Sequence, residues 1–126
     1  MANDERTRIL IADDDRDAAD SLAELLRLAG YAVAVAYNGG DALRQAVEFF
    51  PEAIVLDLNM PVLTGFEVAE RYCDAAGRTR PPIIALTGEQ GVIKRAMDAG
   101  FDHFMTKPVS LAELERILPP RRLQPA

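Results

Sequence analysis

Ile9-Leu10-Ile11-Ala12-Asp13-Asp14-Asp15 decides the fold, because a short apolar run of strand length stops abruptly at a cluster of acids. Three more runs obey the same rule. Ile54-Val55-Leu56 stops at Asp57, Ile83-Ile84-Ala85-Leu86 stops at Thr87, and His103-Phe104-Met105-Thr106 stops at Lys107-Pro108. Near-continuous apolar strands are those buried on both faces, as in a parallel sheet. If these runs are parallel strands of one sheet, their polar ends emerge together at the carboxyl-terminal edge, where open α/β sheets place their ligand crevice. Acids, a hydroxyl and an amine then converge.

Between these runs the apolar period becomes helical. Ala19, Leu22, Leu25, Leu26 and Ala29 form one face, with Gly30 in the C′ position that ends a helix. Ala32-Val33-Ala34-Val35-Ala36 is β-branched at every second position and reads as a further strand, broken by Asn38-Gly39-Gly40. A second helical face carries Ala42, Leu43, Ala46, Val47 and Phe50 and ends at Pro51. A loop from Pro61 to Gly65 leads to a third, with Phe66, Ala69, Tyr72, Cys73 and Ala76, closed by Gly77. Val92, Ile93, Ala96 and Met97 mark a fourth helix ending near Gly100. Ser110 with Glu113 is a capping-box pattern that opens a fifth through Leu114, Ile117 and Leu118, stopped by Pro119-Pro120. Five strands alternating with five helices predict an α/β fold, a parallel sheet covered on both faces, since each right-handed crossover lays its helix on the sheet.

The 126 residues suit a single domain, 1–126, with a core of about 7–118 and short tails. A net charge of -6 argues against wholesale phosphate-backbone binding, which needs clustered Lys and Arg, so no nucleic-acid partner is expected. The single cysteine, Cys73, has no internal disulfide partner, and Met1-Ala2-Asn3-Asp4-Glu5-Arg6 lacks the apolar core of a signal peptide. No apolar stretch approaches the roughly 20 residues of a membrane span. The expectation is a soluble, cytoplasmic protein with no membrane partner.

The chemistry of the converging residues can be argued from charge. Two carboxylates about 4 Å apart repel by roughly 4 kcal/mol at an effective dielectric of 20, so Asp13, Asp14 and Asp57 need a cation to sit together ionised. Mg²⁺ suits such a site, since it takes oxygen ligands and is commonly held by one or two carboxylates plus phosphate oxygens. Each residue also has a plainer reading. Acids before a helix serve as N-caps and complement its dipole, Asp57 suits a turn before Met60-Pro61, Thr87 can cap a helix before Gly88, and Lys107 can be a solvated surface lysine. Lys107-Pro108 is a candidate cis peptide, because the tertiary amide lowers the cis penalty.

Asp13-Asp14, Asp57 with Met60-Pro61 and Gly65, Thr87, and Lys107-Pro108 together resemble the receiver domain of bacterial two-component response regulators. The resemblance covers nearly the whole chain. It implies a flavodoxin-like sheet of order 2-1-3-4-5 and a phosphorelay role in which Asp57 accepts a phosphoryl group from a histidine kinase or a histidine phosphotransfer protein. Asp14 and Asp57 are then direct Mg²⁺ ligands, Asp13 a ligand through water, and the backbone carbonyl of Asn59 a third protein oxygen. A carboxylate is an established nucleophile of the aspartyl-phosphate kind; Lys107 would give the phosphoryl oxygens a positive charge and Thr87 a hydroxyl donor. The family pairs the Thr87 movement with an aromatic of the last strand, here Phe104. Without the hydroxyl of the more usual tyrosine, Phe104 is expected to turn inward.

The implied output face is the fourth helix, the fifth strand and the fifth helix, with a downstream protein partner and a monomer or phosphorylation-dependent dimer. Asn59 and Glu89 would line the approach of a hydrolytic water, and neither is bulky and apolar, so a short-lived phosphoform is expected. Because only Pro119 to Ala126 follow the last helix, the chain resembles a stand-alone regulator or a receiver segment of a hybrid sensor kinase. A haloacid-dehalogenase-like phosphatase uses similar residues. Its nucleophile comes first, however, with a second Asp two residues on, whereas here the acid pair precedes Asp57 and Asn59 stands two residues after it. The reading is a signalling domain, not an enzyme with an external substrate.

Overall fold

The computed structural model describes residues 6–58, 60, 64–76, 81–87 and 101–120. Strands β1 (Arg8–Ala12), β2 (Ala32–Ala36), β3 (Ala53–Asp57), β4 (Ile83–Thr87) and β5 (His103–Thr106) form one parallel sheet in the order β2-β1-β3-β4-β5. This is the flavodoxin-like order. Four helices are described: α1 (Arg16–Leu28), α2 (Gly39–Phe49), α3 (Gly65–Ala76) and α4 (Leu111–Glu115). The helix expected over 92–100 lies outside the described residues, so the Ser110-capped helix, fifth in the sequence reading, is α4 here.

The apolar runs are continuous because their strands are covered on both faces. All five residues of β3 and of β4 are buried. Ile9, Ile11, Val55, Ile84, Leu86 and Met105 turn to one face, where they meet Leu22 and Leu26 of α1 and Leu114 of α4. Leu10, Ala12, Ile54, Leu56, Ile83 and Ala85 turn to the other, against Ala42 and Ala46 of α2 and Val68, Ala69 and Tyr72 of α3. Each buried Leu or Ile contributes about 1.5–3 kcal/mol of transfer free energy, so this two-sided core fixes the sheet to which the polar strand ends are attached.

Helix starts are set by short polar side chains. The Asp15 carboxylate accepts from the Ala18 N–H at 3.2 Å and caps α1. Asn38 does the same for α2, accepting from the Asp41 N–H at 2.8 Å. The stretch Asn38-Gly39-Gly40 is therefore a helix start: Gly39 and Gly40 form the first turn of α2, because a good N-cap outweighs the poor helix propensity of two glycines. Gly30 ends α1 at φ 107, a conformation that favours glycine. α4 opens on the expected box, with the Glu113 N–H donating to Ser110 Oγ at 3.1 Å, but it ends at Glu115 and continues only as turns to Leu118.

The apolar helical faces are wider than the area the sheet covers. Leu25, Val47 and Phe50 are exposed. Phe50 lies one residue past α2, in the left-handed region at φ 54, and is 72 % exposed. Among the described residues no helix is long and apolar enough to cross a membrane.

Candidate functional site

The register of the central strands puts the acids together. Ala12 of β1 pairs with Leu56 of β3, so the next residues, Asp13 and Asp57, lie side by side at the carboxyl-terminal edge. They are 3 % and 4 % exposed. Asp14, one residue on, is exposed, yet one carboxylate oxygen from each of Asp13, Asp14 and Asp57 lies within 4.8 Å of the others. The acid run thus divides its work: Asp13 turns in, Asp14 reaches the cluster from solvent, and Asp15 caps α1. The Asp15 N–H also donates to Asp13 Oδ1 at 3.0 Å, and the Asp13 N–H donates to the Ala36 carbonyl at 3.1 Å, which fixes the loop between β1 and α1.

Lys107 reaches this cluster from the far side of the sheet. Its Nζ lies 3.0 Å from Asp13 Oδ2 and 3.4 Å from Asp57 Oδ2. Partial burial by itself would depress the ammonium pKa. The hydrogen bond to Asp13 and the charges of Asp57 and Asp13 outweigh that and hold it above the ordinary lysine value. The Lys107–Pro108 peptide is cis, as the sequence suggested. The Lys107 N–H donates to the carbonyl of Thr87 at 2.9 Å, which joins the end of β5 to that of β4. Thr87 is buried and pairs in register with Thr106.

Gly65 is required by space rather than by backbone angle. A Cβ there would lie 2.4 Å from the Asp57 carbonyl oxygen and 2.9 Å from Leu58 Cα, so α3 rests on the backbone that carries the Asp57 carboxylate. The Gly65 N–H also donates to the Leu58 carbonyl at 3.2 Å. The sequence marks this glycine but does not disclose its reason. The box just before it went unread: the Thr64 N–H donates to Glu67 Oε1 at 3.1 Å and the Glu67 N–H to Thr64 Oγ1 at 3.2 Å. The Thr-x-x-Glu spacing was the available signal.

Asn59 and Glu89 lie outside the described residues. Phe104 is described, and it does not turn inward: it is 39 % exposed. Only Met105 of β5 is buried, because alternation sends Phe104 to the opposite face at the edge of the sheet, beside the small Ala85. The ring lines a groove of about 370 Å³ with Phe101, Glu113, Arg116 and Ile117.

Three carboxylates against one ammonium leave this cluster with excess negative charge at the mouth of a sheet. The donor set is all oxygen. It therefore fits a hard divalent cation, and with the carboxylate charge offset in that way the Lys107 ammonium can orient an incoming anion.

Comparison with known proteins agrees with this geometry. Residues 9–118 match the family model of the response regulator receiver domain. The transcriptional regulatory protein PrrA of Mycobacterium tuberculosis is 44 % identical over 109 residues, which cover 85 % of this chain and 46 % of PrrA. The response regulator MprA of Mycobacterium ulcerans is 39 % identical with the same coverage of this chain and 46 % of its own. The chain thus spans about half the length of the curated relatives it matches. Among solved structures, the chemotaxis response regulator CheY4 of Vibrio cholerae superposes with a TM-score of 0.82 at 30 % identity, over 89 % of this chain and 98 % of that one. A CheY-like receiver domain of Methanospirillum hungatei gives 0.79 at 29 % identity, over 87 % and 88 %. The chain belongs to the response regulator receiver domain family of two-component signalling.

Proposed function

We propose that Asp57 is the phosphoacceptor of a single receiver domain with a core of about residues 7–118, and that a histidine kinase or a histidine phosphotransfer protein is its donor. The observation that carries this is the ammonium of Lys107 set 3.0 Å from one buried carboxylate and 3.4 Å from another at the sheet edge. An Asp57 oxygen attacks the phosphorus in line, the P–N bond of the donor phosphohistidine breaks, and its electron pair leaves with the imidazole. The product is an acyl phosphate on Asp57. Asp13, Asp14, Asp57 and the backbone carbonyl of Asn59 would hold Mg²⁺, which when bound offsets the charge of the carboxylates and of the phosphoryl oxygens.

The chain's own residues supply the remaining interactions. Lys107, kept protonated by its acidic neighbours, exchanges a carboxylate partner for a phosphoryl oxygen, so its contact differs between the two states. The Thr87 hydroxyl donates to the same group. Phe104, exposed on β5, is the residue whose rotamer would report the change. The output surface is then the segment expected to be helical over 92–100 together with β5 and α4, and it would meet a downstream protein or a second receiver. The domain acts on its own Asp57 and not on an external substrate, in the cytoplasm.

Incubation with acetyl phosphate, with and without Mg²⁺, tests the reading. Label that appears on Asp57 only with Mg²⁺ supports it. Label that persists in Asp57→Asn, or in excess chelator, overturns it.

A further inference from the structure

We propose that β2 is a guarded sheet edge, and that its two guards, Arg27 and Gln45, prevent a second copy of this chain from pairing with it. β2 ends the sheet, with β1 as its one neighbour. The Ala32 N–H donates to the Thr7 carbonyl at 3.0 Å and the Ala36 carbonyl accepts from Asp13 at 3.1 Å, so the alternation of a parallel strand turns the backbones of Val33 and Val35 outward. Those outward groups are the template to which another strand would add.

Both outward carbonyls already have donors. Arg27 of α1 gives an N–H of its guanidinium to the Val33 carbonyl at 2.8 Å. Gln45 of α2 gives its amide N–H to the Val35 carbonyl at 2.8 Å and is steadied by the Asp41 carboxylate at 2.9 Å. The helices pack on opposite faces of the sheet, so the two side chains close on the edge from both sides. Two acceptors spaced two residues apart are the pair an incoming strand would use, and neither can be taken without displacing a guard. The opposite edge differs. The Asp102 N–H donates to the Ile83 carbonyl, so His103 and Met105 face outward, and among the described residues no side-chain hydrogen bond reaches their carbonyls. A second copy is the fitting occupant of an uncovered β2, because Ala32–Ala36 is a short, uncharged, alternating Ala-Val segment that complements itself.

Arg27→Ala combined with Gln45→Ala keeps helix propensity and removes both donors. Sedimentation across a concentration series should show the doubly substituted protein associating at about tenfold lower concentration than the parent, with the helical signal unchanged; tenfold is about 1.4 kcal/mol. Adding Val33→Pro, which blocks the outward N–H of an edge strand, should reverse the association. Gln45→Met, which removes one donor at similar size and without adding charge, should give a smaller shift in the same direction and stands in if the double substitution fails to fold. A folded double variant that matches the parent, or association that survives Val33→Pro, overturns the proposal.

Discussion

The Lys107 ammonium donates to the Asp13 carboxylate across 3.0 Å, tying the end of β5 to the end of β1 over the two strands that separate them, β3 and β4. Asp57 sits between, 3.4 Å from the same nitrogen. One cation thus serves two buried carboxylates, and the proposed phosphoacceptor is the more distant partner. The shorter contact is the stronger hydrogen bond, while the charges of both carboxylates act on the ammonium, so the lysine can turn toward a new anion at Asp57 with its Asp13 contact in place.

Lys107→Ala should destabilise the cation-free protein by roughly 1–2 kcal/mol, less than the 3–5 of a fully buried broken pair because the lysine is about a third exposed. Mg²⁺ should restore more stability to the variant than to the parent, since it replaces the missing charge. Phosphorylation of Asp57 should persist, with the conformational change that follows it lost. Thermal melts with and without Mg²⁺, beside acetyl phosphate labelling, check both parts; equal stabilisation of the two proteins by Mg²⁺ counts against the shared-cation account.

The pH dependence has a definite sign. The folded pKa of Lys107 is raised, so the stability it supplies is complete below the unfolded lysine value of 10.5 and is lost as pH rises through the higher folded value. The melting difference between parent and Lys107→Ala should therefore be flat from neutrality to mildly alkaline pH and vanish only above the ordinary lysine range. A difference that disappears near neutrality contradicts the raised value.

Gly65→Ala should cost about 1–3 kcal/mol, because the added methyl meets the Asp57 carbonyl and Leu58 Cα, both backbone atoms that cannot swing aside. The same displacement moves the Asp57 carboxylate, so labelling should slow as stability falls. Urea unfolding and a labelling time course measure the two; normal labelling in a destabilised variant would separate α3 packing from the site.

Phe50→Asn should stabilise. A phenylalanine at φ 54 carries left-handed strain of about 1–2 kcal/mol, asparagine tolerates that region, and a residue 72 % exposed has little burial to lose. The expected gain is about 0.5–1 kcal/mol in urea unfolding with an unchanged slope. No gain would mean that the ring packs more closely than its exposure implies.

The central architecture was legible because Ile9–Ala12, Ile54–Leu56 and Ile83–Leu86 are apolar at every position, a pattern that only strands covered on both faces require, and because each stops at a polar residue. Asp13, Asp57 and Thr87 could be assigned to one edge for the same reason; β5, buried only at Met105, follows a weaker pattern, and Lys107 was placed by its position after that run. What sequence did not disclose depends on neighbours distant in the chain. Asn38-Gly39-Gly40 looks like a breaker until the Asn38 side chain is seen to cap α2. Gly65 looks like any turn glycine until the Asp57 carbonyl is found where its Cβ would be. Phe104 was expected inward from its missing hydroxyl, but at the last strand of a sheet the alternation that buries Met105 leaves Phe104 at the open edge. The division of labour within Asp13-Asp14-Asp15 follows from where α1 begins, a boundary that three consecutive acids blur.

The most direct test of the account is the mass and peptide map of the protein after acetyl phosphate treatment in Mg²⁺, with Asp57→Asn and chelator alongside. The proposal predicts a single phosphoryl group on the peptide carrying Asp57, absent from Asp57→Asn and absent without Mg²⁺. A phosphoryl group on another residue, or on Asp57 in the presence of excess chelator, would contradict it.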